Sequence, residues 1–250
     1  LSRHSIDLVI NFTEKQYWVN ELSPKSYLIE RIFLADESNF SKLVVSGNPI
    51  RYVDWVLPGI LGMNMMFSCL FGVGYVIVRY RKNHVLKRLK ATPLSALEFV
   101  SAQLLSRLFI VIAMSSAIYI GCNFMFDFFM LGHYLDLLIV GVLGAMSLIS
   151  LGLLVASRSK SEELIGGLLN LTSWPMMLLS GVWFSLEGAP EPVKIFADLL
   201  PLTHLVSGAR AIMTEGATLV DISYHVYVLG GMTAVFLALG AYFFSWNTER

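Results

Sequence analysis

The sequence predicts an all-α polytopic membrane protein: five visible transmembrane helices, a small extracytoplasmic α+β segment ahead of them and an external re-entrant helical hairpin. Apolar residues make up 56% of the 250 positions and charged residues only 14%, a balance that ordinary soluble domains do not have. Charge-free stretches cover residues 55–78, 108–126, 137–157, 164–186 and 222–248, each near the roughly 20 residues that cross a bilayer core. The charges between them alternate in sign bias from loop to loop. With short extensions the spans fall at about residues 55–78, 99–126, 135–157, 163–186 and 224–247, within a membrane domain of residues 54–250.

The loop after the first span carries Arg79, Arg81, Lys82, Lys87, Arg88 and Lys90, with no carboxylate before Glu98. The excess of basic residues places it in the cytosol. Alternation then puts residues 127–136 and 187–221 outside, and Arg158, Lys160 and the C-terminal Arg250 inside, at the cytoplasmic (inner) membrane. Residues 1–53 also fall outside, where Asp7, Glu14, Glu21, Glu30, Asp36 and Glu37 offset the basic residues. A chain that begins outside needs an earlier helix or a signal, and residues 1–53 hold no basic lead followed by an apolar run. The sequence therefore predicts a sixth, N-terminal helix missing upstream of Leu1.

Within residues 1–53, 6–12 and 43–45 are β-prone, and residues 27–34 follow a helical pattern after the Ser23-Pro24 start signal. This is expected to be the C-terminal part of a small ectodomain, serving either structure or substrate handling.

Residues 82–92 form a short basic amphipathic helix, with Val85, Leu86 and Leu89 at helical spacing. Thr92-Pro93 breaks it, because proline disfavours helical geometry in the preceding residue. Ser95 and Glu98 then supply a capping box for the next long helix. Such a helix either lies on anionic lipid or docks in a groove of a cytosolic protein, with Leu86 and Leu89 as anchors.

After the fourth span, Pro190, Pro192 and Pro201 divide residues 192–215 into two amphipathic helices too short to span. Val193, Phe196, Ala197 and Leu200 share one face of the first; Leu202, Leu205, Val206, Ala209, Ile212 and Met213 share one face of the second. Thr203, His204, Ser207 and Arg210 need a hydrogen-bonding environment, so a re-entrant hairpin at the outer interface is expected.

Arg107 is the charge clearly inside a span, near its cytoplasmic end, either snorkelling to the headgroups or touching a substrate. Proton- or sodium-driven carriers commonly place titratable groups at the midplane; the spans offer no carboxylate there, which points to an external energy source. His4, His84, His133, His204 and His225 are spread over both sides of the membrane, so one metal site is not expected. Cys69 and Cys122 lie in apolar stretches and suit buried small hydrophobes. Gly59, Gly62, Gly72, Gly74, Gly141, Gly144, Ala145, Gly166 and Gly167 suit close helix packing. Ser147, Ser150, Thr172, Ser173 and Ser180 either line a polar path or bond within their own helices. Met63, Met65, Met66, Met176 and Met177 either adapt to apolar ligands or face lipid. Trp55, Trp174, Trp183 and Trp246 divide between interface belts and interior, with Trp55 and Trp183 at the outer belt. Nothing in composition or charge suggests nucleic acid as a partner, and a membrane enzyme would need an intramembrane catalytic pair.

The run Arg88-Leu-Lys-Ala-Thr-Pro-Leu-Ser95, followed by Glu98 and Gln103, resembles the cytoplasmic loop of type-2 ABC exporter permeases. Tyr52-Val-Asp-Trp-Val-Leu-Pro58-Gly59, Pro201-Leu-Thr-His204 and the stretch from Ala209 to Gly216 are similar to that family's patterns at the first visible span and before the last helix, so the resemblance covers residues 52–250. Where the family often has an acidic residue and a Gly-Thr pair, this chain has Lys82 and His84-Val85. The resemblance implies a coupling segment of Val85, Leu86, Leu89, Thr92, Pro93, Leu94 and Glu98, and a gate at Pro201, Thr203, His204 and Arg210. It also implies a second permease copy, a cytosolic ABC ATPase that carries ATP and Mg, and no cofactor in this chain. Drugs, lipids or glycolipids are the implied cargo. No Gly-x-x-x-x-Gly-Lys-Ser/Thr nucleotide motif occurs in the sequence.

Overall fold

The computed structural model describes residues 8–11, 15–19, 29–33, 40–44, 51–159, 161–186 and 188–244. His4, Ser23, Pro24, Lys160, Trp246 and Arg250 lie outside them, as do Ile6, Phe12, Tyr27, Leu34 and Val45 at the edges of the expected N-terminal elements. The chain divides into two compact units, residues 1–53 and 54–250.

In the first unit, β1 (Leu8–Asn11) pairs antiparallel with β2 (Gln16–Val19), which pairs in parallel with β3 (Ser41–Val44). Residues 29–33, here α1, are helical. Strand β2 is the centre, and its alternation buries Tyr17 and Val19 on one face. The Tyr17 hydroxyl donates to Glu30 of α1 at 2.9 Å, and Glu30 also pairs with Lys42 at 3.0 Å. Phe33 packs between the rings of Tyr17 and Phe40. Strands β1 and β3 and helix α1 overlap the stretches expected from the sequence; β2, Gln-Tyr-Trp-Val, lies outside them although Tyr17, Trp18 and Val19 are strand-prone types.

The second unit is helical. Helix α2 (Tyr52–Lys82) leads through a turn into α3 (Val85–Lys90), and α4 (Ala96–Phe126) returns along the bundle. Helix α5 (Tyr134–Ala156) and α6 (Glu162–Leu179) follow. Helices α7 (Glu191–Asp198) and α8 (Pro201–Arg210) come next; α8 runs into a π-turn at Ala211–Glu215, and α9 (Ser223–Phe243) is the last. Helix α5 is the axis. It packs on α4, α6, α8 and α9, burying Val140, Ala145, Leu148, Ile149 and Leu153.

Small residues set how closely the helices approach. A Cβ on Gly144 would lie 2.6 Å from Leu205, one on Gly74 2.6 Å from Leu169, and one on Gly62 2.9 Å from Val206. Gly141 and Gly167, expected to do the same, face open space. Met65, Met66 and Met176 are buried in the core rather than facing lipid. Cys69 is buried as expected, whereas Cys122 is only half-buried. Helix α4 buries only Phe99, Val100, Leu104 and Val111 and presents Phe109 and Phe124 outward, at 78% and 92% exposure. An apolar flank of that size suits lipid surroundings.

Among the described residues, α2, α4, α5 and α9 are long and apolar enough to cross a membrane. The expected fourth span at 163–186 is helical only over Glu162–Leu179 and does not join them. Glu162, Glu163 and Asn170 lower its hydropathy, and Gly181, at φ 69°, turns the chain away. Helices α7 and α8 with the π-turn reach span-like length and apolarity together, but are bent by 94° at the break.

Candidate functional site

The residues expected to act sit at opposite ends of the bundle. At one end, α2 stops at Lys82 and His84, at φ 58°, turns the chain into α3. The side chain of Arg81, 2% exposed, reaches across to the C-terminus of α5. It donates to the carbonyls of Ala156 at 3.4 Å, Ser157 at 2.9 Å and Ser159. Helix ends leave carbonyls without intrahelical partners and carry partial negative charge; one guanidinium answers both. In the sequence Arg81 reads only as a loop charge, since nothing local marks it as an inter-helix staple.

Helix α3 departs from expectation at its anchor. Leu86 is fully buried in the chain's own core, and Val85, Leu89 and Leu94 are partly buried. A six-residue helix has one apolar side, and here the bundle takes it, so Leu86 is not an exposed anchor for a partner. Lys87, Arg88, Lys90, Ala91, Thr92 and Pro93 remain exposed. The Thr92 hydroxyl donates to the Leu89 carbonyl at 2.5 Å and ends the helix. The capping box stands as expected: Ser95 Oγ accepts from the Glu98 amide at 3.2 Å, and Glu98 Oε2 accepts from the Ser95 amide at 2.8 Å. Glu98 thereby serves its own helix start.

At the other end, Pro201 occupies the first turn of α8, where its missing N–H is not needed. Thr203 and His204 close the corner between α7 and α8. The Thr203 hydroxyl donates to the Ala197 carbonyl at 2.7 Å, and His204 Nε2 to the Asp198 carbonyl at 2.8 Å. These are carbonyls of the last turn of α7, so two side chains of one helix satisfy the end of the other.

A carbonyl only accepts, so His204 carries its proton on Nε2 and, when neutral, accepts at Nδ1. His225 Nδ1, 2.9 Å away on α9, must then be the donor. In the sequence the histidines read as scattered; a separation of 21 positions hides this pair. Arg210, one helical face round, donates from Nε to the Trp55 carbonyl at 3.2 Å and from its terminal nitrogen to the Gly181 carbonyl at 2.9 Å. Its guanidinium lies 4.0 Å over the Trp55 ring, joining α8 to the start of α2 and the turn after α6. Trp55 is thus part of a cation–π contact. The four hairpin residues divide into a corner pair, Thr203 and His204, with Pro201 beside it, and a separate clamp at Arg210.

Two other sets of expected residues find partners within the bundle. Arg107 does not snorkel: it donates to the Gly72 carbonyl on α2, its guanidinium lying against the space a Gly72 side chain would take. Ser150, Thr172 and Ser173 bond to carbonyls of their own helices, and Ser180 meets Thr203 at 3.2 Å. Among the described residues no group of three or more His, Cys, Asp or Glu side chains gathers as metal ligands do.

A bundle of apolar helices with a buried basic staple at one end and a bent helix pair at the other is the architecture of a polytopic membrane protein. The family model for ABC-2 family transporter proteins matches residues 16–242, and the chain belongs to that family. It is 26% identical over 171 residues to an Escherichia coli (strain K12) protein called inner membrane transport permease YhhJ, an alignment covering 62% of this chain and 41% of that protein. It is 24% identical over 187 residues to the linearmycin resistance permease protein LnrN of Bacillus subtilis (strain 168), covering 72% of this chain and 47% of that protein. The chain thus matches less than half the length of these curated relatives.

Proposed function

We propose that this chain is the permease subunit of an ATP-binding cassette exporter, carrying a hydrophobic or amphiphilic substrate such as a drug, lipid or glycolipid outward across the cytoplasmic membrane. ATP is hydrolysed on a separate cytosolic subunit, and a second permease copy completes the path. Membership of the ABC-2 family is the observation that carries this reading, and the named relatives are permeases. The apolar bundle and the linearmycin resistance of one relative favour an amphiphilic cargo. The basic run from Arg79 to Lys90 favours a cytosolic α3, which leaves residues 1–53 and the α7–α8 hairpin outside and the C-terminus inside.

With Leu86 buried, the surface offered to the ATPase is the exposed rim of Lys87, Arg88, Lys90, Thr92 and Pro93, which suits an acidic groove. Pro201, Thr203, His204 and Arg210 hold the external hairpin as a gate whose corner stays fixed while its contacts with α2 and α9 change. The test is co-purification with an ABC ATPase encoded beside this chain, with substrate efflux followed in cells. Arg88→Glu with Lys90→Glu should reduce both association and efflux at least tenfold. Undiminished association and efflux in that variant would exclude this rim as the coupling surface.

A further inference from the structure

A cavity of about 470 Å³ lies at the hairpin end of the bundle, between α2, α4, α5 and α8. Its volume falls in the range of small-molecule sites. No charged side chain lines it. One wall is apolar, from Leu61 and Met65 of α2 and Leu205 and Met213 after the corner; the other is a stripe of α4 carrying Ser115, Ser116, Tyr119 and Asn123. Those positions follow helical spacing, so the polar groups run about 12 Å along one face.

Tyr119 marks the centre of that face. Its hydroxyl is shut away from solvent and is engaged with Tyr134, whose ring stands edge-on to it with centroids 6.3 Å apart. Asn123, one turn on, accepts from the Phe128 amide through Oδ1 at 3.2 Å, which leaves its two amide protons to donate. The rim residues Ile120 and Leu138 are 66% and 44% exposed, so the cavity opens on the flank that α4 turns to the surroundings.

We infer that this cavity binds one molecule of an uncharged amphiphile from the lipid phase, with its hydroxyl or carbonyl head accepting from the Asn123 amide and its apolar tail against α2 and α8. A charged head would be stranded there without a counter-charge. The inference rests on the export reading for its meaning in transport, but binding is measurable without any ATPase.

The test uses the full chain purified in detergent and a long-chain fatty alcohol bearing a diazirine, with cross-links mapped by mass spectrometry. Saturable labelling is expected on α4 between Ile112 and Asn123, displaced by unlabelled alcohol and not by the fatty acid of equal length at neutral pH. A Cβ on Gly141, which lines the cavity, meets nothing within 4 Å, so Gly141→Leu projects into the space and should cut labelling at least tenfold. Ser116→Leu narrows it from the opposite wall and covers the case in which Gly141→Leu folds poorly. Gly121→Leu also enters open space but does not line the cavity, and should change nothing. Asn123→Leu, which removes the amide donors, should raise the half-saturating concentration about five- to tenfold. Labelling unchanged in both filled variants, or equal displacement by the fatty acid, overturns the inference. Loss of labelling with ATPase association intact removes the site and leaves the permease; labelling without any association does the reverse.

Discussion

Arg81 donates to the carbonyl of Ser157 at 2.9 Å, so the last turn of α2 is bonded to the residue that ends α5. This contact and its two neighbours join helices that the sequence separates by 76 positions. Arg81→Met keeps the length of the side chain and removes its charge and all three hydrogen bonds. It should lower unfolding stability by about 2–4 kcal/mol, the range for breaking a buried charged hydrogen-bond set. Thermal or denaturant melts in one detergent check this, and a variant as stable as the wild type would contradict the role given to Arg81.

The His204–His225 bond makes a prediction about protons. Nitrogen chemical shifts of labelled protein near pH 8 should report His204 protonated at Nε2 and His225 at Nδ1, since the Asp198 carbonyl can only accept. A double-mutant cycle with His204→Ala and His225→Ala should give a coupling energy of about 0.5–2 kcal/mol. The reversed tautomer on His204 would refute the assignment.

Arg210→Lys preserves the charge and loses the fork. A lysine ammonium cannot reach two carbonyls on different elements while lying flat on Trp55. A loss of about 1–3 kcal/mol is expected, with a blue or red shift in tryptophan emission as the stacking contact opens.

Asp221 sets a pH limit on the turn before α9. The Thr218 amide at 2.9 Å and then its hydroxyl at 2.8 Å hold the Asp221 carboxyl below the ordinary carboxylate range. The charged form is therefore the one the fold favours. Its contribution is complete above the ordinary carboxylate pKa and disappears as pH falls through the lowered value. Hydrogen exchange at the Thr218 amide should thus stay protected down to about pH 4 and lose protection below it, by the usual aspartate range; protection that persists in Asp221→Ala would rule this out.

How much of this is legible in the sequence depends on how far a signal reaches along the chain. The capping box is local, four consecutive residues from Ser95 to Glu98, and the sequence alone reveals it. The apolar face of α8 is readable too, since Leu202, Leu205, Val206 and Ala209 are all buried, but periodicity does not show that Pro201, Thr203, His204 and Gly208 on its other sides are buried as well. What buries that side is a different matter. Leu86 and Leu89 form an apolar stripe on a basic helix, a pattern that fits a partner's groove and the chain's own core equally well; only the positions of neighbouring helix ends decide. The Arg81 staple, the His204–His225 bond and the Arg210 contact with Trp55 each pair residues from separate elements, and no spacing rule marks them. The expected α6 boundary fails for a related reason: residues 180–186 carry no charge, but Gly181 at positive φ turns the chain where the charge-free run continues.

With Leu86 inside the core and Arg81 bonded to the end of α5, α3 has little slack. A loop held only by its two ends would flex under load and absorb displacement before moving anything behind it. A helix seated by its own leucine, beside a clamped helix end, is the opposite: stiff, with almost no backlash. On the proposed coupling role, a push on the exposed rim of α3 enters the core through Leu86, next to the Arg81 contact with the end of α5.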